Sequence, residues 1–390
     1  MSVPGGKIRV LVVDDSTVIR RLVTATLASD PEIEVVGIAE NGRIAQERVE
    51  QLHPDAVTMD IEMPDMNGIE AVKALRRTHP RLPIVMFSTL TERGASATLD
   101  ALSAGASDYV TKPSNTGSFA ESQANVRDQL IPKLKALVGA RRAALAGPAR
   151  PVPAAAPRPG SAPVVPHPVD TLAVVREGAP AQGLPTQKRS GRRAFAALVI
   201  GCSTGGPDAL AQVLPALPAD LPVPVLIVQH MPPLFTKLLA QRLDDLSKIT
   251  VAEAVDGESV LPGRALIAPG GKHLTLHNSG GRVVVRLTED PPEHFCRPSV
   301  DVLFRSASAI YGERLLGSVL TGMGKDGATG AATIRAAGGE IVVQDEATSV
   351  VWGMPGAVAA LGQADRVVSL PQVGPELVGL LGPARMAVTT

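Results

Sequence analysis

Two stretches of the chain alternate short apolar runs with amphipathic segments, a pattern typical of parallel sheets covered by helices. In the first stretch, from residue 7 to about 142, apolar runs predict strands at 8–13, 56–59, 84–87 and 109–110. The segments that separate or follow them place apolar residues at helical spacing, at 17–28, 41–52, 68–77, 94–104 and 119–138. This order of elements predicts an α/β domain with helices on both faces of its sheet.

The second stretch starts near Phe195 and repeats the alternation. Strands are predicted at 196–201, 223–229, 314–321, 340–344 and 366–370. Helices are predicted at 207–215, 234–246, 299–310, 327–337 and 354–361. Shorter runs, interrupted by Gly-Gly pairs, predict inserted hairpins at 264–268, 274–277 and 282–287. We therefore expect a doubly wound, mostly parallel α/β domain with an inserted β-hairpin.

The composition changes sharply between these two stretches. Residues 144–188 are mainly Ala, Pro, Gly and Val, a composition that cannot build a packed helix or sheet. We therefore predict an N-terminal domain at 1–142, a Pro/Ala-rich linker at 143–192 and a C-terminal domain at 193–385. The linker is expected to be a flexible spacer, with a specific docking segment as the alternative.

Charge and composition exclude several classes of protein. The net charge is zero, aromatic residues make up 2% of the 390 residues, and no dense basic stripe occurs, so nothing indicates nucleic-acid binding. The two cysteines, Cys202 and Cys296, are too few for a disulfide framework or a zinc site. Since the sequence shows no signal peptide and no run of about 18 apolar residues, we predict a cytoplasmic protein without direct membrane insertion.

Acidic residues follow two strands of the first predicted sheet. Asp14 and Asp15 come after the first strand, and Asp60 ends another. Because the carboxyl ends of parallel strands share one edge, three carboxylates should converge, and Mg²⁺ would offset their repulsion. Lys112 and Ser88 end two further strands at that edge. One such Asp could simply cap a helix, but the joint pattern favours a magnesium site.

These motifs together resemble the response-regulator receiver family from residue 7 to about 139. The matching residues are Asp14-Asp15-Ser16, Met59-Asp60-Ile-Glu-Met-Pro64, Asn67-Gly68, Ser88-Thr89, Ala104-Gly-Ala106, Tyr109 and Thr111-Lys112-Pro113. The resemblance implies a flavodoxin-like, five-stranded parallel sheet. It also implies that Asp60 is phosphorylated, with Mg²⁺ held by Asp14, Asp15 and Asp60. By the same resemblance Lys112 contacts the phosphoryl oxygens, Ser88 and Tyr109 form the switch pair, and the Lys112–Pro113 bond is cis.

A glycine-rich turn, Gly201-Cys-Ser-Thr-Gly-Gly-Pro207, joins a strand to a helix in the second domain. The turn places Ser203 at the carboxyl end of a strand, where open α/β sheets hold their ligands, and its spacing fits a nucleophile elbow. Such a turn could equally bind phosphate or only allow close packing. His230 ends the next strand along the chain and should reach the same edge, where it could take the serine proton.

A carboxylate that orients the histidine would complete this set. Asp326 lies in a second glycine-rich turn, after the strand predicted at 314–321. Asp345 and Glu346 follow the next strand and are alternatives that spacing alone leaves open. Cys202 is an alternative nucleophile, but strand alternation points its side chain opposite to that of Ser203.

The second domain resembles the catalytic domain of the chemotaxis receptor protein-glutamate methylesterases, from about Phe195 to Leu381. The matching stretches are Gly201–Pro207, Gln229-His-Met-Pro232, Phe235-Thr236, Arg242-Leu243, Ala268-Pro-Gly-Gly271, Arg297–Phe304, Leu320–Gly327, Gln344-Asp-Glu346 and Gly353-Met-Pro355. The resemblance implies that Ser203 is the nucleophile, His230 the base and Asp326 the orienting carboxylate. It places the backbone N–H groups of Thr204 and Met323 near the oxyanion. Cys202 and Cys296 depart from the family pattern, where Ala and His are common.

The two resemblances together imply a function. The substrate would be glutamate methyl esters of methyl-accepting chemotaxis receptors, hydrolysed with release of methanol, and specific receptor glutamines would be deamidated. Hydrolysis would need no cofactor, whereas phosphorylation would need Mg²⁺ and a chemotaxis histidine kinase as phosphodonor. The unphosphorylated receiver would cover the edge that holds Ser203. The alternatives are a receiver-regulated hydrolase, or a binding module, that acts on a different signalling-array protein.

Overall fold

The structure is a computed structural model in which residues 6–113, 118–146 and 194–382 are described. They form two α/β units, each built on its own sheet. Of the predicted linker at 143–192, only residues 143–146 are described, and they continue a helix of the first unit; the rest lies outside the described residues. Within the described ranges no helix combines the length and apolar character that crossing a bilayer requires.

The N-terminal unit is a five-stranded parallel sheet in the order β2-β1-β3-β4-β5, as the resemblance to receivers implied. Its strands β3 and β4 are buried along their whole length, which explains why most of their residues are apolar. Its elements are β1 Ile8–Val13, α1 Thr17–Ala28, β2 Ile33–Ala39, α2 Gly42–Leu52, β3 Ala56–Asp60, α3 Gly68–Thr78, β4 Ile84–Ser88, α4 Glu92–Ser103, β5 Asp108–Thr111 and α5 Phe119–Ala146.

The C-terminal unit is a seven-stranded sheet in the order β14-β13-β12-β6-β7-β9-β8, and all its strand pairs are parallel. The expected hairpin is present as the antiparallel pair β10–β11 outside this sheet. The elements are β6 Ala197–Cys202, α6 Gly206–Val213, β7 Val225–Gln229, α7 Phe235–Leu246, β8 Thr250–Glu253, β9 Arg264–Ile267, β10 His273–Ser279, β11 Arg282–Thr288, α8 Val300–Tyr311, β12 Leu315–Val319, α9 Ala328–Ala336, β13 Glu340–Gln344, α10 Met354–Ala360, β14 Arg366–Val368 and α11 Leu370–Leu381.

Several local predictions were wrong or incomplete. The run at 264–268 is not part of a hairpin, because β9 pairs in parallel with β7 and β8. Strands β2 and β8 and helix α11 did not appear among the predicted elements. The Lys112–Pro113 bond is trans, since the only cis bond in the described parts of the chain is Arg297–Pro298. Because X–Pro bonds differ by only about 0.5–1 kcal/mol between isomers, the motif alone does not determine the isomer.

The two units are in direct contact. Helix α4 of the N-terminal unit lies against α6 and α7 of the C-terminal unit. Leu102 and Tyr109 belong to the same buried apolar cluster as Phe235, so one core continues across the boundary. This contact brings β5 of the first sheet close to the carboxyl edge of the second.

Candidate active site

The glycine-rich turn after β6 carries Ser203 at the carboxyl edge of the second sheet. Gly205 has a φ of +77°, a conformation that glycine adopts without the steric cost of a Cβ. A Cβ on Gly206 would lie 1.9 Å from Gln229 Oε1, so a side chain cannot fit there. The Gln229 amide donates to the carbonyls of Ser203 and His230 at 3.0 and 3.2 Å and thereby ties the ends of β6 and β7 together. The turn residues therefore fix where Ser203 stands relative to His230.

His230 and Asp326 form a hydrogen-bonded pair at this edge. His230 Nε2 lies 2.8 Å from Asp326 Oδ2, and the Asp326 side chain is 2% exposed. Asp326 also accepts hydrogen bonds from Ser299 Oγ and from the backbone N–H groups of Val300 and Asp301, at 2.7–2.9 Å. Burial raises the pKa of Asp326, but His230 and these N–H donors outweigh it and hold the pKa below its ordinary value. Asp326 is therefore a rigidly held carboxylate that fixes the imidazole.

The other ring nitrogen of His230 faces Cys296. Cys296 Sγ lies 3.5 Å from His230 Nδ1. Burial lowers the pKa of His230, but hydrogen bonds to Asp326 and Cys296 outweigh this effect and raise the pKa to about 9. In this arrangement His230 is therefore protonated on both ring nitrogens, as the imidazolium cation, at neutral pH.

Ser203 and His230 line one small pocket, whose empty volume is about 250 Å³. Across the described ranges, no hydrogen bond to the Ser203 hydroxyl is found, so Ser203 is not engaged with His230 in this arrangement. The backbone N–H groups of Thr204 and Met323 likewise meet no acceptor in the part of the chain that the structure describes. Within the described residues both N–H groups are therefore free to donate, which the binding of a developing oxyanion requires.

The N-terminal unit closes this pocket. Asp108, Tyr109 and Lys133 contribute to its walls together with Ser203 and Thr204. The Thr204 hydroxyl donates to Asp108 Oδ2 at 2.6 Å, and both residues are 5% exposed.

Two further contacts hold β5 in place, one to the C-terminal unit and one within the N-terminal unit. Tyr109 stacks on Phe235 with ring centroids 4.8 Å apart and planes 7° apart. Lys133 Nζ lies 2.8 Å from both Asp108 Oδ1 and the Tyr109 carbonyl oxygen. The N-terminal unit therefore covers the edge that carries Ser203.

A second cluster lies at the carboxyl edge of the first sheet. Lys112 Nζ lies 3.0 Å from Asp14 Oδ2 and 2.8 Å from Asp60 Oδ1, and both carboxylates are buried. Burial and the neighbouring Asp14 charge raise the pKa of Asp60 to about 6, against the opposing effect of Lys112. Burial also raises the pKa of Asp14. Two buried carboxylates this close need a cation, and Lys112 supplies one.

The residues of this cluster fit a magnesium ion. Oxygens of Asp14, Asp15 and Asp60 lie within 4.8 Å of one another, and Asp15 is exposed. Asp14 Oδ2 is buried and accepts no hydrogen bond of good geometry in the described ranges, although Lys112 is near. An oxygen-only set with an unsatisfied carboxylate atom suits a hard divalent cation. Ser88 is buried at the end of β4, where its hydroxyl contacts Gly94 and Thr98.

Other residues considered from sequence have structural contacts instead. Asp345 accepts hydrogen bonds from Thr348, and Asp326 rather than Asp345 or Glu346 contacts His230. Cys202 is fully buried, and burial raises the pKa of its thiol, which removes it as a nucleophile.

No sequence pattern predicted the contacts of Cys296 with His230 or of Asp108 with Thr204. Cys296 was notable only because it departs from a family pattern. Gln229 lies in the motif Gln229-His-Met-Pro232. Its place directly before His230 is the one sequence feature that could have indicated that it positions the Ser203 turn and His230.

Comparisons with known proteins identify the family to which each unit is similar. Residues 10–122 match the response regulator receiver domain family, and residues 198–377 match the CheB methylesterase family. A protein-glutamate methylesterase/protein-glutamine glutaminase of Nocardioides sp. is 53% identical, over 97% of this chain and 96% of its own. Proteins of the same name from Symbiobacterium thermophilum and Trichodesmium erythraeum are 46% and 43% identical; each match covers 96% of this chain, and 97% and 99% of the relatives. The chain therefore belongs to the protein-glutamate methylesterase/protein-glutamine glutaminase family.

Proposed function

We propose that this chain is a cytoplasmic enzyme that hydrolyses glutamate methyl esters of chemoreceptors and deamidates specific receptor glutamines. The observation that carries the proposal is the His230 Nε2–Asp326 Oδ2 contact of 2.8 Å at the sheet edge that also carries Ser203. A serine is a weak nucleophile unless a base accepts its proton, and a carboxylate-bound histidine is such a base. Ester and amide substrates fit the same pair because both pass through an acyl-enzyme.

The reaction has two steps, acylation of Ser203 and hydrolysis of the acyl-enzyme. Ser203 Oγ attacks the carbonyl carbon, and its proton passes to His230 and then to the leaving methoxide or amide nitrogen. Water then attacks the acyl-enzyme while His230 takes its proton. The C–O bond to Ser203 breaks, His230 returns the proton to Ser203 Oγ, and the glutamate is released. Because Nε2 is bound to Asp326, Nδ1 is the nitrogen that serves Ser203, and it must first leave Cys296. The N–H groups of Thr204 and Met323 stabilise the oxyanion, worth about 3–4 kcal/mol for one good donor.

Phosphorylation of Asp60 controls access to this site. A chemotaxis histidine kinase supplies the phosphoryl group, and Asp14, Asp15 and Asp60 hold the Mg²⁺ that family receivers use in general. When bound, Mg²⁺ neutralises charge on the phosphoryl group and the carboxylates. Lys112 contacts the phosphoryl oxygens, and Ser88 moves toward them.

The movement of Ser88 releases Tyr109, whose ring then leaves Phe235. The Asp108–Thr204 bond opens with this change, and the receiver uncovers Ser203. Both contacts support this route because they join β5, which carries the switch residue, to the catalytic unit.

Methanol release from methylated chemoreceptor tests the proposal. The purified chain is compared with Ser203→Ala, each with and without acetyl phosphate and Mg²⁺. We expect release that rises with the phosphodonor and falls by at least about 10³-fold in Ser203→Ala. Equal release from both proteins would refute the role of Ser203. No release from the parent chain, with phosphorylated Asp60 verified by mass spectrometry, would favour a binding module or another substrate.

A further inference from the structure

Phe295 is an exposed aromatic residue at the rim of the candidate active site. Of the six phenylalanines, four are 9% exposed or less, whereas Phe295 is fully exposed, at 103%. The next residue, Cys296, contacts His230 Nδ1 at 3.5 Å. The Phe295 ring is therefore presented to solvent one residue away from the candidate catalytic histidine.

The backbone that presents this ring is strained. His294 and Phe295 have φ values of +52° and +62°, a region that bulky side chains avoid. Glycine or asparagine would adopt this conformation at lower free-energy cost. Strain of this kind persists only where the surrounding structure imposes it, and it concentrates at functional sites.

The surrounding contacts do impose this conformation. The backbone groups of Glu293 and Cys296 exchange two hydrogen bonds, at 2.9 and 3.1 Å, which close the turn around Phe295. Arg305 binds both carboxylate oxygens of Glu293, and His294 Nε2 lies 3.0 Å from buried Asp301. The segment that precedes Phe295 is thus anchored to α8 at two residues, and the ring is held outward rather than left on a loose loop.

The receiver does not cover this residue. Phe295 keeps its full exposure in the same arrangement in which Asp108 and Tyr109 contact Thr204 and Phe235. A helix with its side chains is about 10–12 Å wide, so a substrate helix centred on Ser203 extends over a neighbouring rim. Residues three or four positions from the esterified glutamate lie on the same face of that helix and are available to contact the ring.

We propose that Phe295 is a docking residue that packs against apolar side chains of the receptor helix carrying the glutamate ester. This inference rests on the proposed function, and it adds that Phe295 determines the affinity for the receptor. Exposed aromatic anchors commonly contribute most of the affinity of an interface. Since the ring is exposed while the receiver covers Ser203, it also binds receptor before phosphorylation.

Receptor binding by catalytically inactive protein tests the inference without depending on turnover. Affinity for methylated receptor is measured for Ser203→Ala and for Ser203→Ala combined with Phe295→Ala, Phe295→Gly or Phe119→Ala. Phe119→Ala is the matched control, because this phenylalanine is 58% exposed on the receiver. We expect about tenfold weaker binding for both Phe295 variants and no change for Phe119→Ala.

Phe295→Gly separates docking from folding. Glycine relieves the strained φ, so this variant should unfold at a temperature at least as high as that of the parent while still binding receptor weakly. Equal receptor affinity of the Phe295 variants and the parent would overturn the inference. If the parent chain with Ser203 intact releases no methanol while binding by the Ser203→Ala proteins still depends on Phe295, the proposed function alone is refuted.

Discussion

The two ring nitrogens of His230 contact chemically different groups, a carboxylate at Nε2 and a thiol at Nδ1. Asp326 at Nε2 favours the imidazolium, and Cys296 at Nδ1 adds to the same effect, so the pKa rises from the ordinary 6.5 to about 9. In the folded chain this interaction contributes stability that is complete below pH 6.5 and is lost as the pH rises through 9. A general base must be neutral to accept a proton. In the covered arrangement His230 is protonated at neutral pH and therefore cannot act as the base.

The pH profile of the unphosphorylated chain should report this state. We expect kcat/KM for a small ester to rise with pH up to about 9, because only neutral His230 accepts the Ser203 proton. Cys296→Ala removes one interaction that raises the pKa, so its midpoint should lie at lower pH. Cys296→Ser, which replaces the thiol by a hydroxyl that can also hydrogen-bond Nδ1, should shift the midpoint less. Identical midpoints for all three proteins would contradict this role of Cys296.

Strand β5 is the element through which the two units communicate. Its first residue, Asp108, binds Thr204 beside the candidate nucleophile, and its second, Tyr109, stacks on Phe235 at the start of α7. A buried hydrogen bond to a charged group is worth about 1.5–3 kcal/mol. The Asp108–Thr204 bond alone is therefore strong enough to shift the fraction of covered molecules by about an order of magnitude.

Asp108→Asn should raise methanol release in the absence of phosphodonor by about tenfold. The reason is that a neutral amide accepts a weaker hydrogen bond from Thr204 and loses the Lys133 ion pair. Asp100→Asn is the control, since the Asp100–Arg242 pair also joins the units but is exposed and worth about 0–1 kcal/mol. If both variants behave alike, the buried bond does not control the covered state.

The elements that were predicted correctly are those in which apolar residues form a continuous run or recur at one clear spacing. Strand β2 was missed because it is half exposed, and Glu34 and Gly37 interrupt its apolar run. Helix α11 contains Pro371, Gly374 and Pro375, which argue against a helix, yet its buried residues keep helical spacing. The carboxyl-edge rule anticipated that Ser203, His230 and Asp326 would share one edge. It could not predict the Cys296 or Asp108 contacts, because irregular turns and domain docking follow no sequence period.

At the scale of the whole molecule, the proposed control requires the receiver and the catalytic unit to work together across their contact surface. Buried Asp14 and Asp60 share Lys112 at one sheet edge, and the covered serine lies at the edge of the other sheet. Phosphoryl chemistry at the first edge can change the second only by altering the contact surface between them. The stimulation by phosphodonor is therefore a property of the intact chain.

Loss of the phosphoacceptor or of the metal should abolish that stimulation. With Asp60→Asn, or with excess EDTA, the ratio of methanol release with and without acetyl phosphate should fall to about one. Asp65→Asn, in the loop after β3, is the matched control and should keep the stimulation of the parent chain. Stimulation that survives in Asp60→Asn would show that another group accepts the phosphoryl or that the phosphodonor acts elsewhere.

The Asp108–Thr204 bond has a consequence for how activity depends on the amount of enzyme in the cell. Since both residues belong to one chain, closing is unimolecular, and the closed fraction does not depend on how many copies a cell makes. A cell that doubles its supply of the enzyme doubles its basal and its stimulated activity together and leaves their ratio unchanged. An inhibitor supplied as a separate protein would lose control as soon as the enzyme outnumbered it. Because the covering domain is part of the same chain, the ratio of stimulated to basal activity is independent of expression level.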